Sequence, residues 1–308
     1  MHNFMQSRVS FGQKIGLFFC FWLLTTIIGS FVVGFIMLKW GSDSTPALRI
    51  ATVLQDIIMF VTPCIATAML VTRTPATLLC LDHIAKPRHF GYTLLVLVLS
   101  IPAMNWLIEW NSAIQFPESM HGVEEWIRLR EESASAMITV MLGKPHVADL
   151  IMSVLIVGVL TGLSEELFFR GALQRILQSR PMNAHFAIWT TAVVFSAMHM
   201  QFYGFVPRLL LGAFFGYLLW WGGSLWLPIV AHAFNNIVTV VFTWLLNRGV
   251  LESDPNQLGA TSTTGDTIIA ITSVIATVIA IVCLRRSLLN TNQTSCGGTQ
   301  NCARDTSL

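Results

Sequence analysis

Charged side chains are scarce in this sequence. Asp, Glu, Lys and Arg make up 11% of its 308 residues, whereas about 25% is usual for a soluble domain. Hydrophobic residues make up 54%, and long uncharged runs recur along the whole chain. This shortage of charge excludes an ordinary soluble domain and predicts a polytopic membrane protein.

The signatures of several other functions are missing as well. The formal net charge is only +2, and no basic patch is interleaved with aromatic residues, so we expect no nucleic-acid partner. The six cysteines include no C-x-x-C redox pair and no set with zinc-ligand spacing. No internal repeat is visible, which argues against a transporter built from paired halves.

The apolar runs predict an all-α, polytopic transmembrane bundle with about eight membrane helices. About 20 helical residues cross a bilayer, and an isolated segment in lipid must satisfy its backbone hydrogen bonds internally. We place the spans at 15–38, 50–72, 90–108, 148–179, 183–201, 204–221, 224–246 and 266–284. The fourth is too long for a simple crossing, so we expect it to tilt or to extend beyond the bilayer.

These spans are predicted to form one integral membrane domain over residues 1–289, with its motif-bearing core at about 148–246. The insertion at 109–147 has apolar residues near helical spacing, which predicts an amphipathic helix on the membrane surface or capping the bundle. That helix could be a solvated surface element or a lip that guides substrate. Residues 290–308 are rich in Thr, Asn, Gly and Ser and are predicted to be a disordered tail.

The distribution of basic residues predicts the orientation in the membrane. With both termini in the cytoplasm, eleven of the 18 Lys and Arg residues are counted on the cytoplasmic side, including Arg170 inside the fourth span, so the excess that the positive-inside rule requires is modest. We therefore expect an integral protein of the cell (inner) membrane with cytoplasmic termini.

One apolar span contains three charged residues in the stretch SEELFFRG. A charged side chain at the centre of a membrane helix costs about 2.5–3.5 kcal/mol, so Glu165, Glu166 and Arg170 need compensation. Glu166 and Arg170 are four residues apart and can form a structural salt bridge. Glu165 lies about 100° round the helix and must face something else.

Two later spans offer polar partners for Glu165. His199 lies about as far beyond the turn at 180–183 as Glu165 lies before it, roughly 23 Å, so we expect the two to be neighbours. His232 and Asn236 are four residues apart and project from one helix face. Because His232 lies only roughly 13 Å from its own turn, it reaches the same point only if the two turns lie at different depths.

Each of these residues also has a purely structural interpretation. A lone membrane histidine such as His199 can be a packing residue, and His232 with Asn236 can be an interhelical hydrogen-bond pair. Gly212 and Gly216, in G-A-F-F-G, form a small-xxx-small pattern that lets helices approach closely. A carboxylate, two imidazoles and a carboxamide together, however, are the groups that activate water and stabilise an oxyanion.

Three motifs in this chain resemble those of the CAAX-protease and bacteriocin-processing (CPBP, or Abi) family of intramembrane endopeptidases. They are E-E-x-x-x-R at Glu165–Arg170, F-x-x-x-H at Phe195–His199 and H-x-x-x-N at His232–Asn236. Their order and spacing match the family, every motif position is filled, and G-S-L-W-L-P-I-V-A-H-A-F-N-N is similar to the family's flanking sequence. The resemblance covers about residues 148–246.

The resemblance implies hydrolysis of a peptide bond in a membrane-associated protein or peptide, within the lipid bilayer. It implies that Glu165 and His199 bind and deprotonate the attacking water. His232 and Asn236 would donate hydrogen bonds to the oxyanion. The supporting residues would be Glu166, Arg170 and Phe195.

Two points stay open in the sequence. Glu165, His199 and His232 could hold one divalent metal such as zinc, with water as the fourth ligand, but no H-E-x-x-H helix is present and a metal-free mechanism is equally compatible. The alternative function is that of a non-catalytic membrane partner or immunity protein, which uses the same fold to bind a peptide or protein. The sequence does not specify the substrate or a prenyl group.

Overall fold

The computed structural model describes residues 9–143, 146–179, 183–251 and 264–296. All regular secondary structure within these ranges is helical. The main helices are α1 (Phe11–Trp40), α2 (Thr45–Val71), α3 (Pro87–Ser112), α4 (His121–Leu142), α5 (Val147–Leu177), α6 (Ala184–Met198), α7 (Phe205–Gly222), α8 (Trp226–Asn247) and α9 (Thr264–Cys296). Short helical turns lie at Pro75–Leu78 and Glu118–Met120.

Seven of these helices are long and apolar enough to cross a membrane, namely α1, α2, α3, α5, α7, α8 and α9. The predicted polytopic helical bundle is therefore confirmed. The span predicted at 183–201 is instead the 15-residue helix α6. It ends at Met198 because the chain turns at Met200, which adopts a left-handed φ of 55°. The predicted turn at 180–182 lies outside the described residues.

The motif-bearing helix α5 changes its winding four times along 31 residues. Two π-helical sections, Val154–Leu160 and Leu167–Gln174, flank the short α-helical section Thr161–Glu166. A third π-helical section, Asp56–Val61, interrupts α2. Such sections often occur at functional sites, because they rotate side chains out of the ordinary helical register.

Helix α5 lies at the centre of the bundle. Helix α8 packs along it, α6 and α7 pack on each other and on its second π-helical section, and α2 contacts its middle. Helices α3 and α9 pack together on one side, and α1 covers α2 on the other. The largest apolar cluster surrounds Phe168 and Phe169, which are buried against Phe18, Phe195 and Leu225.

The outer helices expose apolar side chains where lipid is expected. Phe31 and Leu38 on α1 are 77% and 87% exposed, and Ile268 and Ile279 on α9 are also largely uncovered. In a soluble protein such surfaces would mark an interaction site, but on a membrane bundle they match the apolar surroundings of the bilayer.

The insertion contains a helix, as the spacing of its apolar residues predicted. Helix α4 is held to the bundle at its C-terminal end, where the Arg49 side chain donates to the carbonyl oxygens of Met141 and Leu142 at 3.2 and 3.3 Å. Arg49 also pairs with Asp149 at 2.8 Å.

At the other end of the chain, α9 continues past residue 290 to Cys296. The predicted tail therefore begins inside a helix, and residues 297–308 lie outside the described ranges.

Candidate active site

The predicted contact between Glu166 and Arg170 is present in the structure. Arg170 Nη1 donates to Glu166 Oε1 at 2.6 Å, and both side chains are fully buried. Arg170 Nη2 donates to the carbonyl oxygen of Gly212 at 2.9 Å. The guanidinium carbon also lies 4.5 Å from the centre of the Phe195 ring, so the buried cation has an ionic, a polar and an aromatic partner.

Gly212 permits this arrangement because it has no side chain. A Cβ atom at Gly212 would lie 3.0 Å from Phe195 Cδ1 and 3.2 Å from Arg170 Nη2. One turn later, the carbonyl oxygen of Gly216 accepts a hydrogen bond from Gln174 Nε2 at 3.1 Å. The G-A-F-F-G pattern therefore brings α7 close to α5 and α6, as predicted, and also leaves two of its carbonyl oxygens open to polar side chains of α5.

Helix α8 brings His232 to the same carboxylate. His232 Nδ1 lies 2.8 Å from Glu166 Oε1, and the ring is stacked on Phe215 with centroids 5.2 Å apart. Close approach of α8 to α5 again depends on glycine, since a Cβ at Gly162 would lie 3.0 Å from the Ala233 backbone nitrogen. The same oxygen, Glu166 Oε1, therefore accepts from both Arg170 and His232, and it fixes the orientation of the His232 ring.

Glu165 lies close to His232. Glu165 Oε2 lies 3.8 Å from His232 Nε2, and this buried oxygen has no hydrogen-bond partner among the described residues. Glu165 and His199, which we expected to be neighbours, interact electrostatically. That they share one site stays a prediction. The short distance of His232 from its own turn does not keep it from the site, because its ring lies close to Glu165.

His199 stands at the end of α6. Its Nδ1 lies 2.8 Å from the carbonyl oxygen of Phe195, and the two rings meet edge to face at 4.9 Å. A carbonyl oxygen can only accept, so Nδ1 carries the hydrogen. In the neutral ring, Nε2 is then the acceptor nitrogen.

Asn236 lies one turn beyond His232 on α8. Its Nδ2 donates to the carbonyl oxygen of Val157 at 3.2 Å. Val157 belongs to the first π-helical section of α5. The amide of Asn236 is therefore oriented by α5 and has a second N–H to donate.

Asp56, a buried carboxylate on α2, was not predicted as a site residue from the sequence. Asp56 is 3% exposed, its Oδ2 accepts a hydrogen bond from Thr161 Oγ1 at 2.8 Å, and it interacts electrostatically with Glu165. The available signal was its charge, because Asp56 is the only charged residue in the predicted span 50–72.

The polar groups that hold the segment after His199 were not predicted from the sequence either. Glu131 on α4 accepts hydrogen bonds from the Tyr203 backbone nitrogen at 3.0 Å and from Gln201 Nε2 at 3.2 Å. Asn111 on α3 donates to the carbonyl oxygen of Phe202 at 3.1 Å. The insertion is therefore tied to the chain segment that follows a motif histidine, a connection that no local pattern reveals.

The residues proposed to hold a metal are not arranged as a metal site. Within the described ranges, no three His, Cys, Asp or Glu side chains are gathered in a way that could hold an ion. His232 Nδ1 is engaged by Glu166, and Glu165 Oε2 stands 3.8 Å from His232 Nε2. Participation of a divalent ion stays a prediction, and no step below depends on one.

Comparison with known proteins agrees with the motifs. Residues 147–238 match the family model described as type II CAAX prenyl endopeptidase Rce1-like. No curated protein and no solved structure matches the chain. The matched segment contains all three motifs and the side chains that meet in the buried cluster. The resemblance to the CAAX-protease family is thereby confirmed over residues 147–238.

Proposed function

We propose that this chain is an intramembrane endopeptidase that hydrolyses a peptide bond in a membrane-associated protein or peptide. The observation that carries the proposal is the contact of Glu165 and Glu166 with His232 inside the bundle. Ionisable groups in a membrane interior are costly and are usually functional. Packing alone would not require Glu165, whose buried Oε2 has no partner among the described residues.

Glu165 is the proposed general base for the attacking water. Its Oε2 is available to accept a hydrogen bond from water, and His199 Nε2 is the second proposed acceptor. A water held by both would lose a proton as it attacks the carbonyl carbon. General-base assistance of this kind contributes about 10²–10⁴-fold to a rate.

His232 and Asn236 are the proposed oxyanion donors. Because His232 Nδ1 donates to Glu166, its Nε2 can donate only from the protonated ring, for which Glu165 and Glu166 supply the compensating charge. Asn236 contributes the N–H that Val157 does not use. One donor of this type is typically worth about 2.7–4 kcal/mol in the transition state.

Glu166 and Arg170 are proposed to position the site rather than to react. Glu166 orients His232 as a carboxylate orients the histidine in other hydrolases. Arg170 neutralises Glu166, and Phe195 covers the guanidinium. All three side chains are buried.

The role of a metal can be tested directly. The metal-free mechanism above predicts that the purified chain in lipid vesicles keeps its turnover after dialysis against a chelator. Loss of turnover with the chelator, and its recovery with zinc, would instead assign Glu165, His199 and His232 to a divalent ion.

The proposed setting is a cell (inner) membrane with both termini in the cytoplasm, which requires the short helix α6 to cross the membrane in addition to the seven long helices. The basic-residue distribution supports this orientation, and the proposed partners are the lipid bilayer and a protein or peptide substrate. Cysteine substitutions near residue 40 and near residue 250, labelled in intact cells and in inverted vesicles, would test the orientation.

A comparison of membrane proteomes tests the function. Cells expressing the wild-type chain should contain a membrane protein or peptide with a new terminus, and cells expressing Glu165→Gln should contain the uncut form. The alternative, a non-catalytic binding partner or immunity protein, predicts identical termini and full rescue of a deletion phenotype by Glu165→Gln.

A further inference from the structure

We infer that Asp56 is a positioning residue of the active site, whose carboxylate fixes the helical turn that presents Glu165. The effect on cleavage rests on the proposed function, but the structural part of the inference does not. Asp56 belongs to α2, outside the segment that matches the family model. The site would therefore extend to a helix that none of the three motifs includes.

The first observation is that Asp56 has no cationic partner. Its side chain is buried inside a predicted membrane span, and no Lys, Arg or His forms an ion pair with it among the described residues. An acidic residue at such a depth is costly and is a functional candidate by default. Its compensation comes instead from hydroxyl groups.

These hydroxyl groups belong to one face of α5. Thr161 Oγ1 is 2.8 Å from Asp56 Oδ2 and 3.2 Å from the carbonyl oxygen of Ile156. The Ser164 hydroxyl, one turn on, donates to the carbonyl oxygen of Thr161 at 3.0 Å. Asp56 is thereby bonded to the first residue of the turn that leads to Glu165.

This turn needs an external anchor because of its position. Thr161–Glu166 is the short α-helical section between two π-helical sections, and each change of winding alters the direction of the side chains that follow. A rotation of one residue, about 100°, would remove Glu165 from His232. Asp56 also begins a π-helical section, so the contact joins two irregular helices where they meet.

The contact lies close to the reacting groups without including them. Asp56 interacts electrostatically with Glu165, yet its side chain accepts its hydrogen bond from Thr161. The carboxylate therefore acts through the backbone of α5. We expect it to affect the orientation of Glu165, and hence the rate of bond cleavage, more than the binding of substrate.

Asp56→Ala, Asp56→Asn and Thr161→Val test this role in the full-length chain. Hydrogen exchange of residues 160–166 in lipid nanodiscs reports the turn, and cleavage of a fluorescence-quenched peptide bearing the site found by the proteome comparison reports the activity. Asp56→Asn keeps an oxygen acceptor for Thr161. Thr67→Val is the matched control, because the Thr67 hydroxyl is buried on the same helix α2 and has no partner among the described residues.

We expect Asp56→Ala and Thr161→Val each to reduce protection at 160–166 and to lower kcat by about tenfold or more, the scale of one hydrogen bond to a charged group. KM should stay nearly constant. The double variant should be no worse than either single one, because both remove the same contact. Asp56→Asn and Thr67→Val should resemble the wild type.

Unchanged protection in Asp56→Ala would overturn the inference, as would additive effects in the double variant. Lost protection with unchanged cleavage would overturn the positioning role. If the wild type and Glu165→Gln both fail to cleave any membrane substrate, the proposed function is wrong instead. Lost protection in Asp56→Ala would then show only that Asp56 stabilises the helical turn.

Discussion

Two acid–arginine pairs at the same helical spacing have different surroundings. Glu166 and Arg170 on α5 lie 2.6 Å apart and are fully buried, whereas Arg128 and Glu132 on α4 lie 4.0 Å apart with both side chains 64% exposed. Identical spacing therefore produces a core element in one helix and a surface feature in the other. Burial and additional partners, rather than spacing, distinguish a pair that organises a site.

The difference extends to the partners of each pair. Glu166 also holds His232, and Arg170 also binds the backbone of Gly212. Among the described residues, the exposed pair has no such connections, and water screens its charges. We therefore expect substitutions in the two pairs to differ strongly in effect.

The largest effect is expected at the proposed general base. Glu165→Gln keeps the size of the side chain but cannot accept a proton, so kcat should fall by about 10²–10⁴-fold. Cleavage by the purified variant in vesicles, with thermal unfolding measured in parallel, checks this expectation. Wild-type cleavage by the folded variant would rule out this role for Glu165.

The buried pair should dominate stability. Arg170→Met leaves Glu166 without its cation inside the bundle, and removing one partner of a buried pair typically costs about 3–5 kcal/mol. Unfolding in mixed detergent and SDS measures the loss. Arg49→Met, which breaks a partly exposed pair with Asp149, provides a comparison and should cost less.

A moderate effect is expected where the insertion meets the site. Glu131→Ala removes two hydrogen bonds to the segment after His199, each worth about 0.5–1.5 kcal/mol. We expect kcat/KM to fall several-fold, while Glu132→Ala on the exposed face leaves it unchanged. Equal activity in the two variants would show that the insertion does not support the site.

The smallest effect is expected at the exposed pair. Arg128→Ala should change the free energy of unfolding by no more than about 0.3–0.5 kcal/mol, the usual value for a helical surface pair. The measurement is the same SDS titration used for Arg170→Met. A loss comparable to that of Arg170→Met would contradict the comparison between the two pairs.

Local sequence patterns predicted the parts of the site that depend on helix periodicity. Apolar runs predict the membrane helices, and the four-residue spacing of Glu166 and Arg170 predicts their contact. The contact of Glu165 with His232 was not predictable, because it depends on how closely α8 approaches α5 at Gly162 and on the π-helical sections before it. The distances of the site residues from the turns were estimated with a uniform rise of 1.5 Å per residue. That rise describes an α-helix and does not apply to the π-helical sections of α5.

Residues outside the motifs were harder to find for a related reason. Asp56 and Glu131 meet the site from helices far away in sequence, and each contact is defined by the packing of those helices. The lone charge of Asp56 in an apolar span was visible in the sequence, but its partner Thr161 was not.

Water attack within the buried cluster is the central claim, and isotope incorporation tests it most directly. The proteome comparison supplies a peptide that bears the cleavage site. This peptide is incubated in H₂¹⁸O with the wild-type chain in vesicles, and the masses of the products are measured by mass spectrometry. We predict one ¹⁸O atom in the new carboxylate and about 10²-fold less labelled product, or lower still, with Glu165→Gln. Unlabelled product, or equal labelled product from the variant, would contradict it.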